Sequence, residues 1–136
     1  MATAGYSGTP LIKKLGITPE MKVAVINQPG NYFELLQQDI SKQLLTGRQT
    51  PDLVHLFAKD SSAFKKGMEK ALQYTKANTS VVIWVSWYKK ASGIATDLTE
   101  DSIRNFALQH NLVDIKVCAV SDVWSGLKLV VPVAKR

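Results

Sequence analysis

Three short apolar runs constrain the fold more than any other feature of this sequence. They read MKVAVIN (21–27), DLVHLFA (52–58) and SVVIWVSW (80–87) and are rich in β-branched and aromatic residues. Their apolar character is nearly continuous rather than alternating, which is typical of strands covered on both faces in a parallel sheet. The prediction is three buried central strands, at Val23–Ile26, Val54–Phe57 and Val82–Val85.

Helical patterns fill the gaps between these runs. In Ser61–Lys76 the apolar residues fall on one face and the charged residues on the other. In Thr99–His110 the first residue is a suitable N-cap, and Glu100 and Asp101 follow in the first turn, where the helix dipole favours acids. Two shorter helices are predicted at Pro10–Leu15 and Tyr32–Leu36.

The C-terminal part holds two further strand candidates, VDIKVCAV (113–120) and LKLVVPV (127–133). The connection Ser121–Gly126 is short enough for a hairpin, so one of these strands is antiparallel. Pro132 lacks a backbone N–H, so the last strand lies at an edge or ends there. Gln38–Gln49 holds either a short strand around Gln43–Thr46 or a continuation of the preceding helix.

The alternation of strands and helices predicts an α/β fold of one domain, residues 1–136. We expect a three-layer sandwich whose sheet is mostly parallel, carries helices on both faces and ends with an antiparallel C-terminal strand. The chain shows no internal repeat and no evident linker.

Composition excludes several protein classes. Apolar residues make up 46% and charged residues 21%, which is globular composition. The longest apolar run, Val81–Val85, is far short of the ~20 residues of a membrane span, so no membrane partner is expected. The start, MATAGYSGTP, lacks the basic and apolar regions of a secretory signal. Because the single Cys118 has no partner for an internal disulfide, the cytoplasm is the expected location.

The net charge of +6 is unevenly distributed. Residues 1–90 carry twelve Lys and Arg against six Asp and Glu, whereas residues 91–136 carry five of each. Such an excess attracts anionic ligands or nucleic acid. We favour a simpler interpretation, in which the lysines of the 61–76 helix form its solvated face: Lys65, Lys66, Lys70 and Lys76.

The segment Ser86–Asp97 is the first choice for a binding site, because ligands of open parallel sheets bind beyond the carboxyl ends of the strands. Its lysines suit an anionic group, its aromatic residues a planar ring and its hydroxyls hydrogen bonds, and Trp124 is expected to add a second apolar wall. The alternative is a surface loop without a ligand. The candidate ligand-binding residues here are Trp87, Lys89, Lys90, Ser92, Thr96 and Trp124.

The turn after the first strand, Asn27–Asn31, adds Asn27 and Gln28 as candidates. Nucleotide-type cofactors usually need several glycines here, whereas this turn has one glycine and Pro29 removes a donor. The acid at the customary spacing, Asp52, opens a strand and therefore lies at the wrong edge of the sheet. No cofactor is assigned.

Other chemistry finds little support. His55 lies inside a buried strand and is expected to be a core residue hydrogen-bonded to a carbonyl or carboxylate. His110 suits a helix C-terminus, and Cys118 is expected to be an inert buried thiol. No metal-ligand spacing and no nucleophile, phosphate-loop or zincin motif occurs, so no metal is expected and no catalytic residue is assigned. Whether the chain is an enzyme stays open.

The segments WVSWYKKASGIATDLTED and VCAVSDVWSGLKLV, with GYSGTPLIKKLGI, MKVAVIN, NYFELL and DLVHLF, resemble a small bacterial family of unknown function over nearly the whole chain. The order of DLVHLF, helix, VVIWVSW, helix and final hairpin is more distantly similar to the latter half of S-adenosylmethionine-dependent methyltransferases. That similarity implies a Rossmann-like fold with an antiparallel strand. It does not imply the activity, because the glycine-rich loop and ribose acid have no match.

Three functions follow as hypotheses. The first is a domain that binds a small anionic or zwitterionic ligand or a protein partner. The second is a degenerate methyltransferase that still binds S-adenosylmethionine. Binding of nucleic acid is the third and least favoured.

Overall fold

The computed structural model describes residues 9–136, which form a five-stranded sheet covered by helices. The MATAGYSGTP segment, on which the expectation about secretion rests, lies almost entirely outside these residues. The strands are β1 (Val23–Ile26), β2 (Leu53–Ala58), β3 (Val82–Tyr88), β4 (Val113–Ala119) and β5 (Trp124–Val130). The helices are α1 (Leu11–Leu15), α2 (Tyr32–Leu36), α3 (Ser61–Ala77) and α4 (Glu100–Gln109), and short 3-10 turns lie at Ser41–Gln43, Lys90–Ser92 and Val133–Lys135.

The strand order is β1-β2-β3-β5-β4. β1, β2 and β3 are parallel, and β5 lies antiparallel to both β3 and β4. The predicted α/β class, with a mostly parallel sheet and an antiparallel last strand, is therefore confirmed. The central position predicted for Val23–Ile26 is wrong, because β1 is an outer strand whose second half is only half-buried. β5 ends at Val130, before Pro132, and β4 rather than β5 is the other outer strand.

The segment after α2 passes along the outer side of β1. Leu44 forms an isolated parallel bridge with Val23, and the Leu45 N–H donates to the Val23 carbonyl at 2.8 Å. The predicted strand around Gln43–Thr46 is thus reduced to one bridge. The chain then returns to β2 on the inner side of β1, so the carboxyl ends of β1 and β2 lie side by side at the edge of the sheet where ligands of such folds bind.

Helices pack on both faces of the sheet. On one face, α3 and α4 cover the residues Leu56, Ile83 and Val85. On the other face, α1 and α2 cover Phe57 and Trp84, among others. The indole N–H of Trp84 donates to the carbonyl of Leu15 at 2.9 Å and thereby ties α1 to the sheet.

Side-chain caps define the start of both long helices: Thr99 caps α4 as predicted, and Asp60, which is not among the predicted caps, caps α3. The Asp60 carboxylate accepts from the Ala63 N–H at the start of α3, and Thr99 and Ser102 form a reciprocal capping box at the start of α4. Within residues 9–136, no helix is long and apolar enough to cross a membrane. The cytoplasmic location stays a prediction.

Candidate functional site

A cleft of about 730 Å³ lies at the carboxyl end of β3 and is called the β3 cleft below. Its apolar lining includes the buried side chains of Trp87 and Leu98 and the exposed Ile94. The loop after β3 and the first turn of α4 supply the rest of its walls. The complete lining is Trp87, Tyr88, Lys90, Gly93, Ile94, Ala95, Thr96, Leu98, Thr99, Glu100, Asp101 and Ser125.

Two side-chain contacts hold the loop of the β3 cleft against the start of α3. The Thr96 hydroxyl donates to the Lys59 carbonyl at 2.8 Å. One carboxylate oxygen of Asp97 accepts from the Ser61 N–H, also at 2.8 Å, and this backbone hydrogen bond lowers the pKa of Asp97. The loop that forms this wall of the β3 cleft is therefore hydrogen-bonded to the segment between β2 and α3.

The acids at the β3 cleft are already paired. Arg104 donates to Glu100, to Asp101 at 2.9 Å and to Asp114 at 3.0 Å. Hydrogen bonds to Glu100 and Asp114 raise the pKa of Arg104. The Ser102 N–H donates to the Thr99 hydroxyl, and the Ile103 N–H donates to the Thr99 carbonyl. The Ser102 N–H, one of the backbone donors at the helix start, is therefore occupied by the cap.

A second cleft, of about 500 Å³, lies at the carboxyl ends of β1 and β2 and is called the β1–β2 cleft. The Asn27 amide donates to the carbonyl of Phe57 at 3.1 Å and so joins the ends of the two strands. Gly30 has an ordinary φ, and a Cβ built on it would meet nothing within 4 Å. The turn therefore shows no close approach of the backbone that would need glycine. The lining is Asn27, Gln28, Pro29, Gly30, Phe57, Lys59, Ala63 and Trp124.

An aromatic pair belongs to both clefts. The rings of Tyr88 and Trp124 stack with their centroids 4.5 Å apart and their planes at 22°. Tyr88 lines the β3 cleft, and Trp124 lines the β1–β2 cleft. The two clefts are therefore neighbours along the carboxyl edge of the sheet.

The eight candidate residues from the sequence divide into three groups. Trp87, Lys90 and Thr96 line the β3 cleft. Asn27, Gln28 and Trp124 line the β1–β2 cleft. Lys89 and Ser92 line neither of these two clefts: the Lys89 N–H donates to the Val123 carbonyl, and the Ser92 hydroxyl donates to the Lys89 carbonyl at 2.6 Å.

Lys59 and Ser125 are two of the lining residues that were not among the candidates from the sequence. Lys59 directly follows the second apolar run, so the rule that ligands bind at the carboxyl ends of strands would have selected it. Ser125 reaches the β3 cleft through the antiparallel pairing of β5 with β3, in which it lies opposite Trp87. No pattern in the sequence indicates that register.

Three buried polar side chains, on α2, β2 and β3, form a row of hydrogen bonds next to Phe57. The Tyr32 hydroxyl lies 2.9 Å from Nδ1 of His55, and Nε2 of His55 lies 2.7 Å from the Ser86 hydroxyl. Burial lowers the pKa of His55 to about 3 and raises that of Tyr32. The prediction of a core histidine is confirmed, although its partners are hydroxyls rather than a carbonyl or carboxylate. All three side chains are fully buried, so they form a structural network and not an open catalytic site.

Two other expectations concern metal and thiol chemistry. Within the part of the chain that the structure describes, no three His, Cys, Asp or Glu side chains are grouped as metal ligands. Burial raises the pKa of the Cys118 thiol, while Lys14 and Lys116 partly oppose that shift. A raised pKa suits the inert thiol expected from the sequence, but the expectation that Cys118 is buried is wrong, because it is only half-buried in the outer strand β4.

Comparison with known proteins identifies the fold. No protein-family model and no curated protein matches the sequence. A protein of the NADB-Rossmann superfamily from Streptococcus agalactiae is 4% identical with a TM-score of 0.57, over 93% of this chain and 70% of that one. An uncharacterized protein from Listeria monocytogenes serotype 4b is 9% identical with a TM-score of 0.57, over 92% and 68% of the two chains. The tRNA methyltransferase TrmK of B. subtilis is 8% identical with a TM-score of 0.53, over 97% and 67%.

Identities this low show the fold alone. The chain has a Rossmann-like fold that it shares with at least one methyltransferase, which agrees with the distant similarity drawn from the sequence. The resemblance to a small bacterial family stays a prediction.

Proposed function

We propose that this chain is a binding domain for a small zwitterionic ligand that carries a flat apolar part, held in the β3 cleft. One observation carries the proposal: the cleft combines the aromatic wall of Trp87 with a lysine on one segment and two carboxylates on another. Its volume of about 730 Å³ is within the range of small-molecule sites. The test is calorimetric titration, described below.

The apolar part of the ligand would lie against the side chains of Trp87, Ile94 and Leu98. Trp87 is only 7% exposed, so its ring is held firmly in the sheet and needs little ordering on binding. A flat ring gains most from such a rigid aromatic surface. The exposed Ile94 would lose contact with water when the ligand binds.

The charged part of the ligand would meet both signs of charge. Lys90 is exposed at the cleft and suits a carboxylate or phosphate. Glu100 and Asp101 suit an ammonium or another cationic group, although Arg104 already shares their charge. A purely anionic ligand would face these two carboxylates, which is why a zwitterion fits better than an anion.

S-adenosylmethionine belongs to this chemical class, since it combines an amino acid, a cationic sulfur and a flat base. A degenerate methyltransferase that binds this molecule is therefore our second candidate. The shared fold of a tRNA methyltransferase supports it. The single glycine of the Asn27–Asn31 turn, at a position that does not require glycine, argues against an intact methyl-donor site.

Calorimetric titration with four probes tests the proposal: S-adenosylmethionine, methionine, adenosine and adenosine monophosphate. We expect S-adenosylmethionine, which carries both a flat ring and a zwitterion, to bind more tightly than any probe that lacks one of them. If S-adenosylmethionine binds no more tightly than adenosine monophosphate, the assignment of a zwitterionic ligand is contradicted. If no probe gives heat at millimolar concentration, the whole proposal is contradicted.

Paired variants locate the binding site. Lys90→Ala and Ile94→Ser should each weaken binding about 5- to 10-fold, since each removes roughly 1 kcal/mol of contact. Lys89→Ala is the matched control. It removes the same charge from the neighbouring residue, whose side chain does not line the cleft. Equal losses in Lys89→Ala and Lys90→Ala would place the ligand elsewhere.

A further inference from the structure

Three concavities adjoin one another along α3 beside the outer strand β1, and together we call them the α3 groove. They measure about 260, 300 and 500 Å³, and the last is the β1–β2 cleft. The first two share Ile26 and Lys70, and the last two share Asn27 and Ala63. Together they connect Tyr74, near the end of α3, with Trp124 at the carboxyl edge of the sheet.

The charges along the α3 groove have one sign. Lys59, Lys66 and Lys70 line it and are exposed, and among residues 9–136 no carboxylate lines any of its three parts. Lys66 and Lys70 are one helical turn apart, where like charges repel and destabilise a helix. No salt bridge between described residues offsets this repulsion. Such an arrangement favours a partner that carries several negative charges.

The lysines of α3 divide between two faces. Ala63, Lys66, Lys70 and Tyr74 follow one another at spacings of three and four residues, so they form one stripe that faces the groove. Lys65 and Lys76 line no part of the groove, and neither does Glu69, the one acid of the helix. All four lysines are exposed, as predicted for a solvated face, but only Lys66 and Lys70 line the groove.

Aromatic rings and amides complete the lining. The half-buried Tyr74 lies at one end of the groove. At the other end the rings of Phe57 and Trp124 contact each other, but both are buried and Trp124 is stacked on Tyr88. Gln28 is exposed between these ends, with an amide that can both donate and accept hydrogen bonds. Lysines for phosphates, the ring of Tyr74 for stacking and an amide for base edges are the features of single-strand recognition.

We propose that the α3 groove binds a single strand of nucleic acid. The twelve residues from Ala63 to Tyr74 extend about 16 Å along the helix axis, which equals the rise of about five stacked nucleotides. A free phosphate would occupy only one part of this length. An acidic peptide would pair with the lysines but would leave the ring of Tyr74 without a stacking partner. The proposal is independent of the function proposed for the β3 cleft, whose lining shares no residue with this groove.

Fluorescence anisotropy tests the proposal with labelled mixed-sequence oligonucleotides of about 12 nucleotides. The probes are one RNA strand, one DNA strand and the corresponding duplex, and polyglutamate serves as competitor. We expect a single strand to bind at low salt more tightly than the duplex, with polyglutamate a poor competitor. A preference for the RNA or for the DNA strand shows which of the two nucleic acids the groove binds. No binding of either strand, tighter binding of the duplex or efficient displacement by polyglutamate overturns the proposal.

Matched variants locate the site. The double variant Lys66→Gln, Lys70→Gln should weaken binding and lower the salt slope of log affinity by about 1.4, that is ~0.7 for each lost phosphate contact on a single strand. Lys65→Gln, Lys76→Gln removes the same charge from the same helix outside the groove and should weaken binding much less. Equal losses in the two pairs overturn the assignment. Tyr74→Ala should add a loss of about 5-fold to 100-fold, and thermal melting verifies that each variant folds.

Discussion

Nε2 of His55 and the hydroxyl of Ser86 lie 2.7 Å apart between β2 and β3, and neither side chain is exposed to solvent. Nδ1 of the same ring meets the Tyr32 hydroxyl at 2.9 Å, so both ring nitrogens are satisfied inside the core. One histidine thereby links α2, β2 and β3. The relationship has consequences for stability and for its dependence on pH.

Removing the Ser86 hydroxyl should destabilise the protein. Ser86→Ala leaves one nitrogen of His55 buried without a partner, and such a group costs about 1–3 kcal/mol. Urea unfolding followed by circular dichroism measures the loss. Ser80→Ala, at an exposed position, is the control and should change the free energy of unfolding by less than about 0.5 kcal/mol. Equal stability of the two variants would mean that water replaces the hydroxyl.

Stability should fall in acid because of His55. Its pKa is about 3 in the folded protein and near 6.5 when unfolded, so below pH 6.5 the unfolded state binds the proton more readily. The contribution of neutral His55 is complete above pH 6.5 and decreases as pH falls toward 3. The free energy of unfolding therefore changes through His55 by at most about 1.4 kcal/mol for each pH unit.

Unfolding free energies of the native chain and of two variants, measured from pH 7 to pH 4, test this dependence. His55→Gln should flatten the curve, whereas His110→Gln, which changes an exposed histidine at the end of α4, should keep it. Identical pH slopes in the native chain and His55→Gln would show that another group controls the acid response.

A methyl group at position 67 should disrupt the contact between α3 and β2. A Cβ built on Gly67 would lie 2.3 Å from Cδ1 of the buried Leu56. Gly67→Ala should therefore destabilise by about 1–3 kcal/mol through overpacking, although alanine is the better helix former. Thermal unfolding measures the effect. Gly30→Ala, where the new Cβ meets nothing, should be nearly neutral, and adding Leu56→Val to Gly67→Ala should recover part of the loss.

Cys118 should react slowly with alkylating reagents. Burial raises its pKa, so less thiolate is present at neutral pH than in an exposed cysteine. Mass spectrometry of the iodoacetamide reaction at pH 7.5 measures the rate for the folded chain, and the same chain in urea serves as the control. We expect the unfolded chain to react faster, and equal rates would contradict a protected thiol.

The sequence by itself determined where the five strands and four helices lie to within a few residues and that the sheet is mostly parallel, although β5 begins at Trp124 rather than at the predicted Leu127. Continuous apolar strands can be buried only when both faces of the sheet are covered. The apolar stripes of α3 and α4 pack on one of these faces. Capping residues such as Asp60 and Thr99 act within one helical turn, so local sequence is enough to locate both helix starts.

Only the tertiary structure decided which residues share a cleft. The outer position of β1, the insertion of β5 beside β3 and the contact of Thr96 with Lys59 depend on pairings between residues far apart in the chain. The same holds for the separation of Lys66 and Lys70 from Lys65 and Lys76, since the apolar pattern of α3 leaves all four exposed. Hydrophobic patterning specifies which side of an element is buried, whereas strand order and register specify what lies opposite its exposed side.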